Sequence, residues 1–118
     1  MATRETPRVA ESLQTVSGVA GRYASSLFEL ALDSDALAEV SAALDAFQSL
    51  IDGSEDLQRL IKSPVFGADD QLKAITAILE KAGISGLAAN FIKVTASNRR
   101  LFAVPGMIRA FREIYARH

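Results

Sequence analysis

The sequence predicts an all-α protein, a compact bundle of six helices joined by short connections. Three observations predict it. Apolar residues recur three and four apart in one segment after another, the spacing of a helix face, and no β-branched alternation is present. Alanine supplies 20 of the 118 residues, and it is the strongest helix former. Glycine and proline fall between the periodic segments, where they punctuate helices.

Residues 1–17 differ from the rest of the chain. Arg4, Glu5, Arg8 and Glu11 mix with Thr, Ser and Pro7 without sustained periodicity, so this stretch reads as a flexible N-terminal arm. It has no apolar stretch of the kind a secretory signal needs, and Glu5 and Glu11 argue against an organellar transit peptide. The bundle then occupies residues 18–118. A first helix is expected from about Gly18 to Asp33. Ser34 and Asp35 are N-cap candidates for a second helix carrying Leu37, Val40, Leu44, Phe47, Leu50 and Ile51. Asp52-Gly53 stops it, with Gly53 suited to a left-handed cap.

Ser54 caps a short third helix whose stripe is Leu57, Leu60 and Ile61, with Glu55 and Asp56 complementing the dipole in its first turn. Ser63-Pro64 ends it. Val65 and Phe66 lie in the connection and are expected to plug the core. A fourth helix opens at Gly67 to Asp70, carries Leu72, Ile75, Ile78, Leu79 and Ala82 on one face, and closes at Gly83. A fifth runs from about Ser85 to Asn98. Pro105 sits near the start of the sixth, where its missing N–H costs nothing. Met107, Ile108, Phe111, Ile114 and Tyr115 form the buried stripe of that helix.

Composition narrows the function. Cysteine is absent and the one histidine is His118, so thiolate zinc sites, cysteine nucleophiles and histidine-based triads have no residues to build on. No catalytic residue, metal ligand or cofactor site can be assembled. Thirteen basic side chains against fourteen acidic ones give a formal charge of -1, too balanced for non-specific capture of nucleic acid. No apolar run reaches the roughly 18 residues of a membrane span, so direct membrane insertion is not expected.

Three minor signals have simpler explanations. Asp69 and Asp70 are adjacent on a helix and point about 100° apart, so they do not converge as an acid–base pair, and a role at the helix start explains them better. The Gly18–Gly21 and Gly83–Gly86 spacings lack the strand and the lysine of a phosphate loop. Arg99, Arg100, Arg109, Arg112 and Arg117 make the C-terminal third basic. A small helical nucleic-acid-binding module is the alternative they support, against helix C-terminal charge and a solvated face with Glu113.

Helices one and five carry more apolar surface than a bundle helix needs. At about 100° per residue, Val19, Ala20, Tyr23, Ala24, Leu27, Phe28, Leu30, Ala31 and Leu32 cover roughly 220° of the first helix. A stripe of little more than about 100° suffices for a surface helix. Leu87, Ala88, Ala89, Phe91, Ile92, Val94 and Ala96 spread as widely on the fifth. Two accounts are open. Either both helices are central in the bundle, or they lie side by side and leave an exposed groove for an amphipathic helix. The surplus edges would then be Val19, Tyr23, Ser26 and Leu30 on the first helix, and Leu87, Phe91, Val94 and Asn98 on the fifth, flanked by Asn90 and Ser97.

Gly21-Arg-Tyr-Ala-Ser-Ser-Leu-Phe-Glu-Leu-Ala31 resembles the opening helix of the ATP synthase delta subunit family, whose mitochondrial counterpart is the oligomycin sensitivity conferring protein. Asn90-Phe-Ile-Lys-Val-Thr-Ala-Ser-Asn-Arg-Arg-Leu101 is similar to its fifth helix and the following turn, and Val104-Pro-Gly-Met-Ile-Arg-Ala-Phe111 to the start of its sixth. The resemblance runs from about Val16 to His118. It implies a non-catalytic six-helix domain on top of the catalytic head of the rotary proton-translocating synthase. There it would bind the N-terminal helix of an alpha subunit in a groove between helices one and five. By position, Tyr23, Ser26, Leu30, Phe91, Val94 and Asn98 match that groove. The family also has a C-terminal domain that joins the peripheral-stalk b subunits. This chain stops where helix six should end, so a truncated form of a longer protein is expected. The implied location is peripheral, on the cytoplasmic or organellar matrix side of an energy-transducing membrane.

Overall fold

The computed structural model describes the backbone at residues 5–63 and 65–118, and the side chains from residue 18 onward except at residue 64. Those residues form six α-helices and no strand. They are α1 (Glu5–Asp33), α2 (Leu37–Asp52), α3 (Glu55–Lys62), α4 (Ala68–Ala82), α5 (Gly86–Ser97) and α6 (Val104–Arg117), with a single 3₁₀ turn at Leu101–Ala103 leading into α6.

Helix α1 starts at Glu5, well before the expected boundary near Gly18. Pro7 falls in its first turn, where no N–H partner is needed. Gly18 and Gly21 lie inside the helix, and Gly106 lies inside α6, so glycine does not always fall between segments here. Each such glycine costs about 1 kcal/mol relative to alanine, too little to stop a helix held by packing. Residues 1–4 of the expected arm, and the side chains of residues 5–17, lie outside the described residues.

The helix ends separate capping roles that composition leaves mixed. After α1, the Ala36 N–H donates to the Ala31 carbonyl at 2.8 Å and the Asp35 N–H to the Leu32 carbonyl at 3.2 Å. Asp35 takes φ 54°, so it closes α1 as a left-handed C-terminal residue and does not cap α2. The residue before α2 is Ala36, which makes no side-chain cap bond. The same pair of hydrogen bonds closes α4 at Gly83, φ 75°, and α5 at Arg99, φ 60°. Gly53, expected to be left-handed, has φ -95° and ψ 2° instead.

Ser54 does cap α3, its Oγ accepting from the Leu57 N–H at 3.1 Å. Ser54→Ala is therefore expected to lower stability by about 1 kcal/mol, read as a shift in the urea midpoint. Ser63 is extended at the end of α3, as a residue before proline should be; Pro64 itself lies outside the described residues. Val65 and Phe66 do not plug the core. They are 85% and 38% exposed, because the Val65 N–H turns back onto the Ser63 Oγ and the connection passes over the surface. Leu57, Leu60 and Ile61 of α3 are buried in the core instead.

The core is a single cluster drawn from all six helices. Phe47, Ile75, Leu79, Ile92, Ile108 and Phe111 are among its buried members. Ala82, expected on the buried face of α4, is exposed, since the helix ends there. Helices α1 and α6 make the most extensive pairing. Numbers rise together along it: Gly106 stands beside Ala20, while Phe28 meets Phe111 and Tyr115 at centroid distances of 5.7 and 6.3 Å. The two helices thus run parallel. Ala20, Ala24 and Ala31 let α1 sit close to its neighbours.

Candidate functional site

The two open accounts of α1 and α5 both hold in part. One side of each wide apolar arc is core: Ala20, Ala24, Leu27, Phe28 and Ala31 on α1, and Ala88, Ala89, Ile92 and Ala96 on α5, are buried. The remainder is not covered. Leu30 is 50% and Val94 51% exposed, and Tyr23, Leu87 and Phe91 are half-buried. The two helices touch only sparingly, and a groove of about 520 Å³ opens between them.

Arg22, Tyr23, Ser26, Leu27 and Leu30 form one wall, and Leu87, Asn90, Phe91, Val94 and Asn98 the other. Each wall repeats at three and four residues, so each is one helix edge. At 1.5 Å per residue the walls run roughly 12–17 Å, the length of two to three helical turns. Tyr23 meets the edge of Phe91 at a centroid distance of 6.2 Å and 72°. Its hydroxyl accepts from the Asn98 Nδ2 at 3.2 Å, tying the walls together at one end. Tyr23→Phe removes only this surface bond. It is expected to change stability by less than about 1 kcal/mol, measured by thermal unfolding.

Eight of the ten expected site residues line this groove: Tyr23, Ser26, Leu30, Leu87, Asn90, Phe91, Val94 and Asn98. Val19 and Ser97 do not. Val19 continues the stripe of α1, but it lies one turn beyond Tyr23, which already faces the end of α5 at Asn98. Ser97 is exposed and ends α5. Two lining residues were not expected. Leu27 forms the buried floor, and Arg22 supplies the one charge among the described lining residues. Arg22 is four residues before Ser26, so its helical spacing from that edge could have revealed it.

The groove is suited to binding an apolar ridge. Its lining is mostly apolar, with neutral amide and hydroxyl groups of Ser26, Asn90 and Asn98 available for orientation. Among the described residues, no buried side-chain nitrogen or oxygen lacks a hydrogen-bond partner. A larger groove of about 770 Å³ lies between α1 and α6, but it mixes Arg22, Arg109 and Arg117 with Glu29 and Glu113 over a floor of Gly18, Gly21 and Gly106. Its lining is more polar than apolar, the reverse of the α1–α5 groove. The arginines of the C-terminal third do not gather on one face. Arg109 and Arg117 line this second groove, and Arg112 is bound to Asp45 at 2.8 Å. Arg99 lies elsewhere, beside Phe66 and Phe102.

Residues 19–118 match the family model described as the ATP synthase delta (OSCP) subunit. The chain belongs to the ATP synthase delta (OSCP) subunit family. It is 66% identical over 110 residues to ATP synthase subunit delta of Sinorhizobium fredii (strain NBRC 101917 / NGR234) and of Agrobacterium fabrum, and 64% identical to that of Rhizobium meliloti. Each alignment covers 93% of this chain and 58% of the relative, so the chain spans little more than half the length of these delta subunits. The match begins at the residue after Gly18 and takes in all of the described bundle core. No helix among the described residues is long and apolar enough to cross a membrane.

Proposed function

We propose that this delta-family chain is a stator component without catalytic chemistry of its own. It would hold the N-terminal helix of an ATP synthase alpha subunit between α1 and α5, and so help link the catalytic head to the peripheral stalk. The observation that supports this reading is the uncovered apolar groove between α1 and α5, the two helices between which the resemblance leads us to expect the partner helix. Its partner-binding residues are then Tyr23, Ser26, Leu30, Leu87, Asn90, Phe91, Val94 and Asn98, with Arg22 and Leu27 added. Residues 18–118 carry the binding domain, and α1 continues on its N-terminal side to Glu5. Contact with the b subunits belongs to the second domain of the family. The assembled position is peripheral, on the cytoplasmic or matrix side of the membrane.

The role of the domain is mechanical. The head would turn with the rotor unless it were held, so the clamp needs affinity and stiffness. Burying the groove's apolar area contributes roughly 25 cal/mol per Å² before ordering costs are subtracted. A close-packed core resists deformation under torque.

Calorimetric titration of the chain with a synthetic alpha-subunit N-terminal peptide tests the reading. One peptide is expected to bind per chain, with a negative heat-capacity change from apolar burial. Absence of binding at millimolar peptide would refute it. The dispersal of the arginines weighs against the nucleic-acid alternative, and a labelled oligonucleotide at low salt should show no salt-dependent shift.

A further inference from the structure

A second exposed patch lies where the connection after α3 meets the turn after α5. Phe66 and Phe102 line a shallow pocket of about 240 Å³ together with Lys62 and Arg99. Phe102 is 56% exposed although its neighbour Leu101 is buried, and Val65 stands almost fully exposed beside Phe66. The pocket's described lining contains two cations and no carboxylate. Among the described residues, neither Lys62 nor Arg99 takes part in a salt bridge.

The turn that closes α5 fixes where Arg99 stands. Arg99 occupies the left-handed conformation, φ 60°, which glycine adopts without steric cost and arginine does not. The turn is fixed by two bonds, from the Arg99 N–H to the Ala96 carbonyl at 3.1 Å and from the Arg100 N–H to the Thr95 carbonyl at 2.7 Å. A cationic side chain is thus held, at some strain, beside two solvent-facing aromatic rings. Phenylalanine and arginine are both enriched at protein interfaces relative to the rest of the surface.

We infer that this patch docks an acidic peptide segment of another protein, one that sets bulky apolar side chains on Phe66 and Phe102 and carboxylates against Lys62 and Arg99. The charge pattern selects this occupant. A basic segment would meet two cations, and a second copy docked through the same patch about a two-fold axis would set those cations against each other. The surface is distinct from the α1–α5 groove, and the proposal does not depend on the alpha-helix reading.

The test is an NMR titration of the isotope-labelled chain with two synthetic amphipathic helical peptides. One is built of Glu, Leu and Phe; the other is identical except that every Glu is replaced by Lys. The acidic peptide is expected to shift the amide signals of Phe66, Arg99 and Phe102, and the lysine peptide to bind at least about tenfold more weakly. Arg99→Gly removes the cation while relieving the left-handed strain, so it should melt no lower than the parent and bind the acidic peptide more weakly. Phe102→Ser should weaken it too. Equal binding of both peptides would overturn the proposal. So would shifts confined to Leu30 and Val94, undiminished binding by a folded Arg99→Gly chain, or signals at Phe66 and Phe102 that depend on protein concentration without peptide.

Discussion

Val94→Asp is expected to leave the bundle folded and to weaken binding of an alpha-subunit N-terminal peptide by about 100-fold or more. Half of the Val94 surface is open to water in the free chain, so a carboxylate there stays solvated until the partner arrives. Aspartate and valine also differ little in helix propensity. On binding, the same carboxylate must be desolvated between Leu30, Phe91 and the incoming apolar ridge, and the described lining offers it only the Arg22 cation. A 100-fold loss corresponds to about 2.7 kcal/mol, within the range of a central hot spot. Tyr23→Asp should act similarly, with a somewhat larger cost to the fold because Tyr23 is half-buried against Phe91. Ala77→Asp, on the exposed side of α4, is the control and should bind as the parent does. Calorimetric titration with each variant, beside its circular dichroism melt, separates lost binding from lost folding.

The largest effect on the fold is expected from Phe111→Ala. Phe111 is 1% exposed, and its ring lies 5.7 Å from that of Phe28 and 6.2 Å from that of Tyr115. It therefore joins α6 to α1 across the most extensive helix pairing in the molecule. Emptying such a site costs about 3–5 kcal/mol in lost transfer energy and residual cavity. For a chain of this size each kcal/mol is about 4 °C, so the melting temperature should fall by roughly 12–20 °C in a calorimetric scan. A fall of less than about 5 °C would mean that α6 is not packed on α1 as described. The change would also reach the groove indirectly, since α1 supplies one of its walls.

Much of the architecture is legible in the sequence because helix faces and helix ends leave different marks. The apolar spacing places the buried faces of α2, α3 and α6 on the correct residues, and Ser54 is legible as a cap because an acidic first turn comes after it. Asp35 misleads for a physical reason. Short polar side chains are favoured both before a helix and in the left-handed residue after one, so the residue type alone cannot say which helix it serves. Val65 and Phe66 mislead because apolarity suggests burial, whereas a connection this short must run along the surface once Ser63 is extended.

The groove is legible as an excess, and its extent is not. A helical wheel shows that α1 and α5 carry wider arcs than a core requires, and it places Tyr23, Leu30, Phe91 and Val94 on the open edge. It has no coordinate along the axis. Val19 shares the stripe of Tyr23, and only the position of Asn98 shows that α5 has ended by then. Leu27 counts as core on the wheel and is also floor. The basic, aromatic patch at Phe66 and Phe102 is invisible in the sequence, because its parts lie on two connections far apart in the chain.

Whether the groove between α1 and α5 holds the partner helix is decided by NMR titration of the labelled chain with the alpha-subunit N-terminal peptide. The expected result is saturable shifts centred on Tyr23, Leu30, Phe91 and Val94, with the signals of α3 and α4 unmoved. Saturable binding whose shifts fall elsewhere and spare Tyr23 and Val94 would refute the groove assignment.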